Sequence, residues 1–521
     1  MLRFHSSRRT RLCDGLDRRQ WLQVGGLGAF GLGLEQLLAQ PRPATAASTS
    51  PTFGKAKACI VLFLLGGPPQ HETWDPKPDA PDEVRGDLKS IPSSIPGLRV
   101  GELMPKTAQL VDKVAVLRGM STDDNAHSAS GYWMLTGRPH EPKNRENAPH
   151  GPPNDDPCLA AIIRHLRGDT ASMPGSIVVP EDIWNTGRIA WPGQDAGWLG
   201  RSADPWLITC DPNADDFKVP SLAMQDDVTP LRVRSRGSLL SQLDNHLAQV
   251  QRGDRLRHWT SLRQRAFNML TAPTARRAFS IQEEPEKVRE RYGRNRFGQS
   301  VLLARRLVES GVSLVQVNWT RWDHDQAVAP AWDTHAGNSE RLKKDLMPPM
   351  DMAYSSLLED LEERGMLEDT LVVWMGEFGR TPKINARGGR DHWGHVYSIA
   401  LAGAGIQGGI VYGGSDRVAG FPTDGRHEPQ DLAATIFHLM GHSPETEIHD
   451  QQGRPSVISN GMPIEAVLSC PSPPSPTIID ADSDHYHRGR RGTIGRAERF
   501  FHRGTIHHPV AFWCPCSSLG G

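Results

Sequence analysis

Five short apolar runs, each followed by glycine or polar residues, constrain the fold of this chain more than any other feature. A short continuous apolar run of this kind is typical of a strand that is covered on both faces, as in a parallel sheet. The runs therefore predict the strands of a buried central sheet. They are ACIVLFLL (58–65), KVAVLRGM (113–120), GVSLVQVNW (311–319), DTLVVWMG (369–376) and YSIALAGAGI (397–406).

Helical patterns lie between and after the later runs. The segment FGQSVLLARRLVES (297–310) ends before a glycine, which suits a helix C-terminus. Apolar residues at three-to-four spacing predict two more helices, at 342–367 with a break at Pro348-Pro349 and at 429–441. Strands that alternate with helices predict an α/β fold, with a mostly parallel sheet and helices on both faces.

The N-terminal residues 1–47 are typical of a twin-arginine (Tat) signal peptide. The run DRRQWLQ (17–23) precedes a glycine-rich, weakly apolar segment, and ATA (44–46) offers the small residues that a signal peptidase needs. We therefore expect export to the periplasm or outside the cell. The alternative is an amphipathic helix with an accidental arginine pair, since Arg8-Arg9 is a second such pair.

The rest of the chain divides into a folded domain and a tail. Residues 48–468 are predicted to form the domain, with a loop-rich cap insertion at about 140–270, and 469–521 are predicted to be disordered. Glu35 interrupts the apolar part of the signal, and no other segment approaches the ~18 uninterrupted apolar residues of a membrane span. A net charge of −1 gives no reason to expect a nucleic-acid partner, and the oligomeric state stays open.

Carboxylates and histidines recur just after the predicted strands. Parallel sheets bind ligands outside the carboxyl ends of their strands, so these side chains are expected to converge. Carboxylate and imidazole ligands together suit a divalent cation, which would polarise an ester. The residues are His71, Glu72 and Asp75 after the first run, His127 and Ser128 after the second, Asp323, His324, Asp333 and His335 after the third, and Glu377, Asp391 and His392 after the fourth.

Several of these carboxylates also have a structural interpretation. Glu72 and Asp75 are compatible with caps of the turn that follows the first strand. A carboxylate set between glycines, as Glu377 is, must be exposed or paired. A salt bridge from Glu377 to Arg380 or Arg390 is therefore the alternative to metal binding.

Five motifs in this chain are specific enough to compare with known families: LFLLGGPPQHETWDPKPDAP (62–81), WDTHAGN (332–338), DTLVVWMGEFGRTPKIN (369–385), GRDHWGH (389–395) and GGIVYGGSDR (408–417). They resemble the domain-of-unknown-function 1501 family of exported bacterial proteins, which lies in the alkaline phosphatase-like (sulfatase) superfamily. The resemblance runs from about residue 55 to about residue 467. It implies a three-layer α/β sandwich with metal ligands at strand ends and a nucleophile at a helix N-terminus.

The resemblance also implies roles for individual residues. The metal ligands that it implies are Glu72, Asp333, His335, Glu377 and His392, and we expect Asp75, Arg380 and Asp391 to support them. The segment HSASGYWMLTGR (127–138) is similar to the sulfatase segment that begins at the nucleophile. This match puts His127 at the position of the nucleophile, with Ser128 beside it.

The chain departs from the superfamily pattern at three positions. Ala129 and Gly131 replace the residues that direct formylglycine formation, and Phe378 replaces a metal-ligating histidine. A standard sulfatase mechanism and a full two-metal site are therefore not expected. We expect Ser128 to be the nucleophile and His127 to be its base or a metal ligand, with one divalent metal ion.

The predicted function is that of an exported, metal-dependent hydrolase-like protein that acts on sulfate or phosphate esters of extracellular polymers. Its expected partner is an anionic ester or polysaccharide. The alternative is a non-catalytic carbohydrate-binding or cell-envelope protein on the same fold. Four cap tryptophans suit sugar stacking, although a small aromatic core is the other explanation: Trp184, Trp191, Trp198 and Trp206.

Overall fold

The structure, a computed structural model, describes residues 50–219, 272–321 and 332–469. The predicted signal peptide, much of the predicted cap, and the predicted tail after residue 469 lie outside the described residues. Asp323 and His324 also lie outside them. Among the helices in the described ranges, none combines the length and the apolar character that crossing a membrane requires.

An eight-stranded sheet forms the centre of the described chain. From edge to edge, its strands are β14 (Ile410–Tyr412), β4 (Val114–Met120), β13 (Tyr397–Ala402), β10 (Thr370–Met375), β1 (Ala58–Leu64), β9 (Leu314–Trp319), β5 (Ser176–Val179) and β8 (Trp206–Leu207). Only β13 runs antiparallel to its two neighbours in this sheet. All five apolar runs form strands of this sheet, so the predicted mostly parallel sheet is confirmed.

Shorter strands pair outside the central sheet as two-stranded ribbons. They are β2 (Ser90–Pro92) with β3 (Arg99–Gly101), β6 (Trp184–Asn185) with β7 (Ile189–Ala190), β11 (Gly379–Arg380) with β12 (His392–Trp393), β15 (Gly414–Ser415) with β16 (Pro422–Asp424), and β17 (Glu447–His449) with β18 (Pro455–Val457). The β11–β12 ribbon matters most for the site, because its register places Arg380 opposite His392.

The helices of the described residues connect these strands. They are α1 (Asp82–Arg85), α2 (His127–Thr136), α3 (Leu159–Arg167), α4 (Pro273–Phe279), α5 (Glu286–Tyr292), α6 (Arg296–Glu309), α7 (Asn338–Arg341), α8 (Met347–Glu363) and α9 (Pro429–Leu439). The predicted break at Pro348-Pro349 corresponds to the start of α8, and a π-helical turn at Leu342–Leu346 precedes it. Proline is tolerated in a first helical turn because its missing N–H has no intrahelical partner there.

Helices cover both faces of the sheet, as the pattern of β1 shows. Successive side chains of a strand point to opposite faces. Ile60 and Leu62 belong to a core shared with α6 and α8, whereas Val61 and Phe63 belong to a second core shared with α3 and α9. Every residue of β1 is buried. The predicted three-layer sandwich, with helices on both faces of the sheet, is therefore confirmed.

A buried ion network joins the helices on one face. The side chain of Arg305 in α6 is fully buried and lies 2.9 Å from Glu284, 2.9 Å from Asp360 and 2.7 Å from Glu309. Burial opposes the charged carboxylate of Asp360, but Arg305 outweighs that effect and lowers the pKa of Asp360. Removing one partner of such a buried ion pair destabilises the fold, because it leaves the other charge buried without compensation.

We predict that Arg305→Met lowers the free energy of unfolding by about 3–5 kcal/mol, because it removes the fully buried cation between Glu284 and Asp360 and leaves them only the more exposed Arg306 and Arg364. Urea denaturation of the purified protein measures this change. Arg201→Met is the matched control, since Arg201 is 90% exposed and pairs with Asp204 only at the surface. It should change the free energy by less than about 1 kcal/mol, and equal losses in the two variants would contradict the account.

Candidate metal centre at the carboxyl edge of the sheet

Loops that follow parallel strands converge at one edge of the sheet. The loop after β1 contributes Gly66, and the start of α2, after β4, contributes His127. The segment before α7 contributes Asp333 and His335, and Glu377 follows β10. The convergence expected from parallel strand ends therefore brings these residues together.

Three metal-ligating side chains meet at the centre of this edge. Oδ1 of Asp333 lies 2.9 Å from Nε2 of His335 and 3.1 Å from Nε2 of His392. The two imidazole nitrogens lie 2.8 Å from each other. Asp333, His335 and His392 thus offer one ligand atom each to a common point.

The Nδ1 atoms of His335 and His392 form hydrogen bonds that orient the Nε2 atoms of the same rings toward this point. Nδ1 of His392 lies 2.7 Å from the backbone carbonyl of Asn125, which can only accept, so the hydrogen resides on Nδ1. Nδ1 of His335 lies 2.7 Å from a carboxylate oxygen of Asp391. Metal-ligating histidines are oriented in the same way, through a hydrogen bond from the other ring nitrogen.

The charges around these rings favour a free lone pair on His392. Burial and the nearby charge of His127 lower the pKa of His392 to about 3, so its ring is neutral near pH 7. The pKa of His335 is raised, chiefly by its contact with Asp333. Burial opposes the ionised form of Asp333, but His127 and Arg380 outweigh it and hold the pKa of Asp333 well below its usual range.

The spacing of the three ligand atoms fits a divalent ion. Neighbouring ligand atoms of an octahedral ion with bonds of about 2.1 Å lie about 3 Å apart. The observed separations are 2.8, 2.9 and 3.1 Å. With no ion present, the lone pair of His392 faces the Asp333 carboxylate, and only a proton on His335 can lie among them. The donor set therefore fits a metal ion that accepts both oxygen and nitrogen ligands.

His127 lies at the N-terminus of α2, between two carboxylates. Its Nδ1 is 2.6 Å from Oε1 of Glu377. Its Nε2 is 3.1 Å from Oδ2 of Asp333, but the two atoms are not aligned for a hydrogen bond. Burial opposes a charge on the ring, but Asp333 and Glu377 outweigh it and raise the pKa of His127 to about 9. The ring, which stacks against Trp191, is therefore a buried cation whose Nε2 lacks an aligned hydrogen-bond acceptor.

Glu377 is fully buried and is held from two sides. The backbone N–H of Gly66 donates to Oε1 at 2.9 Å and to Oε2 at 3.2 Å, while His127 contacts Oε1. The alternative interpretation, a salt bridge to Arg380 or Arg390, is wrong, because these arginines pair with other carboxylates. Glu377 thus positions His127 and lies beside the three-ligand group.

Gly66 cannot be replaced without moving the site. Its φ of +114° is in the region that favours glycine, and a Cβ there would lie 2.3 Å from the backbone nitrogen of Asp333. The glycine after the first strand therefore lets the loop that carries Asp333 approach the sheet closely.

Arg380 ties the loops together from a fully buried position. Its Nη2 lies 2.5 Å from Oδ1 of Asp333. The same guanidinium donates to the backbone carbonyls of Gly66, Gly67 and Arg390. Arg380 therefore orients Asp333 and links the loops that follow β1 and β10.

Two predicted acidic residues lie outside the three-ligand group. Glu72 forms a buried ion pair with Arg390, at 2.6 Å. Asp75 pairs with Lys77 at 3.0 Å and with Arg118 at 3.4 Å. The metal role of Glu72 and the supporting role of Asp75 remain predictions, and the contacts found here are structural ones.

The hydroxyl of Ser128 is also turned away from the three-ligand group. Its Oγ donates to the backbone carbonyl of Arg145 at 3.1 Å and accepts from the N–H of Ala148 at 2.9 Å. The nearby Ser130 donates to the backbone carbonyl of Glu377 at 2.6 Å. Both hydroxyls thus hold loops in place, and the nucleophilic role of Ser128 remains a prediction.

Sequence reasoning missed Glu146. One oxygen of Glu146 accepts from the backbone N–H of His127 at 2.6 Å. Glu146, His127 and His392 form a second group whose candidate ligand atoms all lie within 4.8 Å of one another. Glu146 lies in a proline-rich stretch with no period and no strand before it, so no sequence signal identified it.

The structure is similar to several solved structures at low sequence identity. PsFucS1 sulfatase from Pseudoalteromonas sp. is 13% identical, with a TM-score of 0.32 over 74% of this chain and 68% of that one. A protein in the alkaline phosphatase superfamily from Vibrio parahaemolyticus is 11% identical, with a TM-score of 0.32 over 75% of this chain and 67% of that one. The lipoteichoic acid synthase LtaP from Listeria monocytogenes is 8% identical, with a TM-score of 0.32 over 76% and 75% of the two chains.

No curated protein matches the chain. Its sequence does match a family described as protein of unknown function (DUF1501), over residues 56–468. This range takes in every residue of the metal centre and nearly all of the predicted domain. The resemblance drawn from the five motifs is therefore confirmed, and the chain belongs to the DUF1501 family.

Proposed function

We propose that this protein is a metal-dependent hydrolase of phosphate or sulfate esters, with its divalent ion held by Asp333, His335 and His392. The observation that carries the proposal is the convergence of three acceptor atoms within 3.1 Å of one another. Hydrogen bonds at Nδ1 of His335 and His392 turn the Nε2 atoms of both rings toward Oδ1 of Asp333.

The chain's own residues prepare this place for a negatively charged group. A divalent ion supplies positive charge that stabilises the negative charge developing on an ester's oxygens. Charged His127 presents a second positive group beside it, and Glu377 fixes the orientation of that ring. Arg380 keeps Asp333 ionised and correctly oriented. The geometry thus supports charge stabilisation more directly than it supports nucleophilic attack by a side chain.

We also propose that the protein is exported by the Tat route and acts outside the cytoplasm on anionic esters of extracellular polymers. The run DRRQWLQ (17–23) supports export. The positive charge of His127 beside the ligand group supports an anionic substrate.

The second candidate is a protein that binds an anionic ligand at this centre without turning it over. The engagement of the Ser128 hydroxyl by the backbone of Arg145 and Ala148 favours it, since this predicted nucleophile already has two hydrogen-bond partners. Sugar stacking on the cap gains no support from Trp184 and Trp191, which are 1% and 0% exposed and belong to the interior.

We predict that the purified protein carries about one equivalent of a divalent metal per chain, and that His335→Ala and His392→Ala each lose it. Elemental analysis of the purified proteins measures the metal. His449→Ala is the control, because His449 is an exposed histidine of β17, outside the metal centre, and it should keep the metal. A wild-type protein that stays metal-free after incubation with Zn²⁺, Mn²⁺ and Mg²⁺ would rule out the metal centre.

Ser128→Ala tests whether the Ser128 hydroxyl is the nucleophile. Because the Ser128 hydroxyl is engaged by backbone groups, we predict that kcat/KM for an aryl phosphate or aryl sulfate falls by less than about tenfold. Loss of a true nucleophile typically costs about a thousandfold or more. A fall of that size, with metal content and melting temperature unchanged, would restore Ser128 as the nucleophile.

Export by the Tat route is tested in cells. We predict that the double substitution Arg18→Lys, Arg19→Lys leaves the precursor in the cytoplasm, because the export machinery reads the arginine pair. Immunoblots of cytoplasmic and periplasmic fractions measure the distribution. The double substitution Arg8→Lys, Arg9→Lys is the matched control and should leave export unchanged. Normal export of the first variant would exclude the Tat route.

A further inference from the structure

Arg321 is a buried cation that has no carboxylate partner among the described residues. It follows β9 at the same edge of the sheet as the metal centre, and it is 5% exposed. One amino group donates to the hydroxyl of Thr186, whereas Nε has no hydrogen-bond partner. In residues 50–219, 272–321 and 332–469, no carboxylate forms an ion pair with Arg321.

The arginines with fully buried side chains show what is missing, although Arg289, which is 7% exposed, also bonds to an amide oxygen, that of Gln299, and to no carboxylate of the described residues. Arg305, Arg380 and Arg390 have fully buried side chains, and each forms an ion pair with at least one carboxylate at 2.9 Å or closer. Buried charges in proteins are normally paired in this way because desolvation is costly. Arg321 therefore lies in a place where a bound anion would supply the partner that the described residues do not.

The acidic side of the metal centre lies within electrostatic reach of Arg321. Burial lowers the pKa of Arg321, and the carboxylates of Asp333, Glu377 and Glu146 oppose that effect without overcoming it. The guanidinium thus interacts electrostatically with these three carboxylates, but it forms no ion pair with any of them.

A chain of contacts joins Arg321 to His127 at the metal centre. Its partner Thr186 is exposed and is adjacent in sequence to Asn185. The Asn185 amide donates to Glu146 at 3.1 Å, and Glu146 accepts from the backbone N–H of His127. Arg321 therefore lies next to the side of the centre where Glu146 meets the backbone of His127.

We propose that Arg321 binds the peripheral oxygens of a tetrahedral oxyanion, the phosphate or sulfate group of the substrate, through its free Nε–H and its second amino group. The planar fork of a guanidinium matches two such oxygens. This inference rests on the proposed function and adds the residue that recognises the substrate's charged group. Arg321 then contacts the anion from the protein's side, while Asp333, His335 and His392 hold the metal.

Isothermal titration calorimetry with inorganic phosphate, and separately with inorganic sulfate, tests this assignment on the whole purified protein. We expect Arg321→Gln to weaken binding of the preferred anion by about tenfold or more, the effect of losing hydrogen bonds to a charged group. Arg321→Lys should recover part of the affinity, because it keeps the charge and loses the fork. The anion that binds more tightly to the wild type identifies the ester class.

Arg188→Gln is the matched control, since Arg188 lies two residues from Thr186 and its side chain is 51% exposed. It should bind both anions as the wild type does. Equal affinity of the wild type and Arg321→Gln would overturn the inference, as would loss of metal or a lower melting temperature in Arg321→Gln, which would give Arg321 a structural role. Metal content of the wild type is measured on the same samples, so failure of the metal centre is distinguished from failure of the anion site.

Discussion

The buried carboxylate of Asp333 organises the whole carboxyl edge of the sheet. Arg380, His335 and His392 surround one of its oxygens, and His127 lies against the other. A carboxylate that is only 6% exposed needs such partners, because burial without them would favour its neutral form. His127, Arg380 and His392 come from other segments of the chain, whereas His335 follows Asp333 by two residues. The position of this single group therefore fixes how several loops lie relative to the sheet.

The backbone near Asp333 makes this concentration of charge possible. Gly66 allows the two loops to approach closely, and its N–H fixes Glu377, which in turn orients His127. Arg380 stabilises these loops by donating both to the backbone carbonyl of Gly66 and to Asp333. The two buried carboxylates, Asp333 and Glu377, are therefore held in place beside His127 by Arg380 and by the backbone of Gly66.

Much of the fold could be predicted from the sequence, because short apolar runs covered on both faces have few alternatives to a buried parallel sheet. The recurrence of histidine and carboxylate at strand ends likewise identified Asp333, His335, Glu377 and His392 as neighbours. Side-chain pairing could not be predicted in the same way. Glu72 meets Arg390 across 318 residues of sequence, and no local pattern records such a partner. The direction of the Ser128 hydroxyl depends on a loop without periodicity, and so does the approach of Glu146 to His127.

Anomalous X-ray diffraction from crystals grown with Zn²⁺ or Mn²⁺ tests the central claim most directly. The account predicts an anomalous peak at the point bounded by Oδ1 of Asp333 and the Nε2 atoms of His335 and His392, within bonding distance of all three. The contradictory result is the absence of a peak there, with Nε2–H of His335 donating to Asp333. In that case the cluster would be a self-contained ion pair network and the hydrolase proposal would lose its basis.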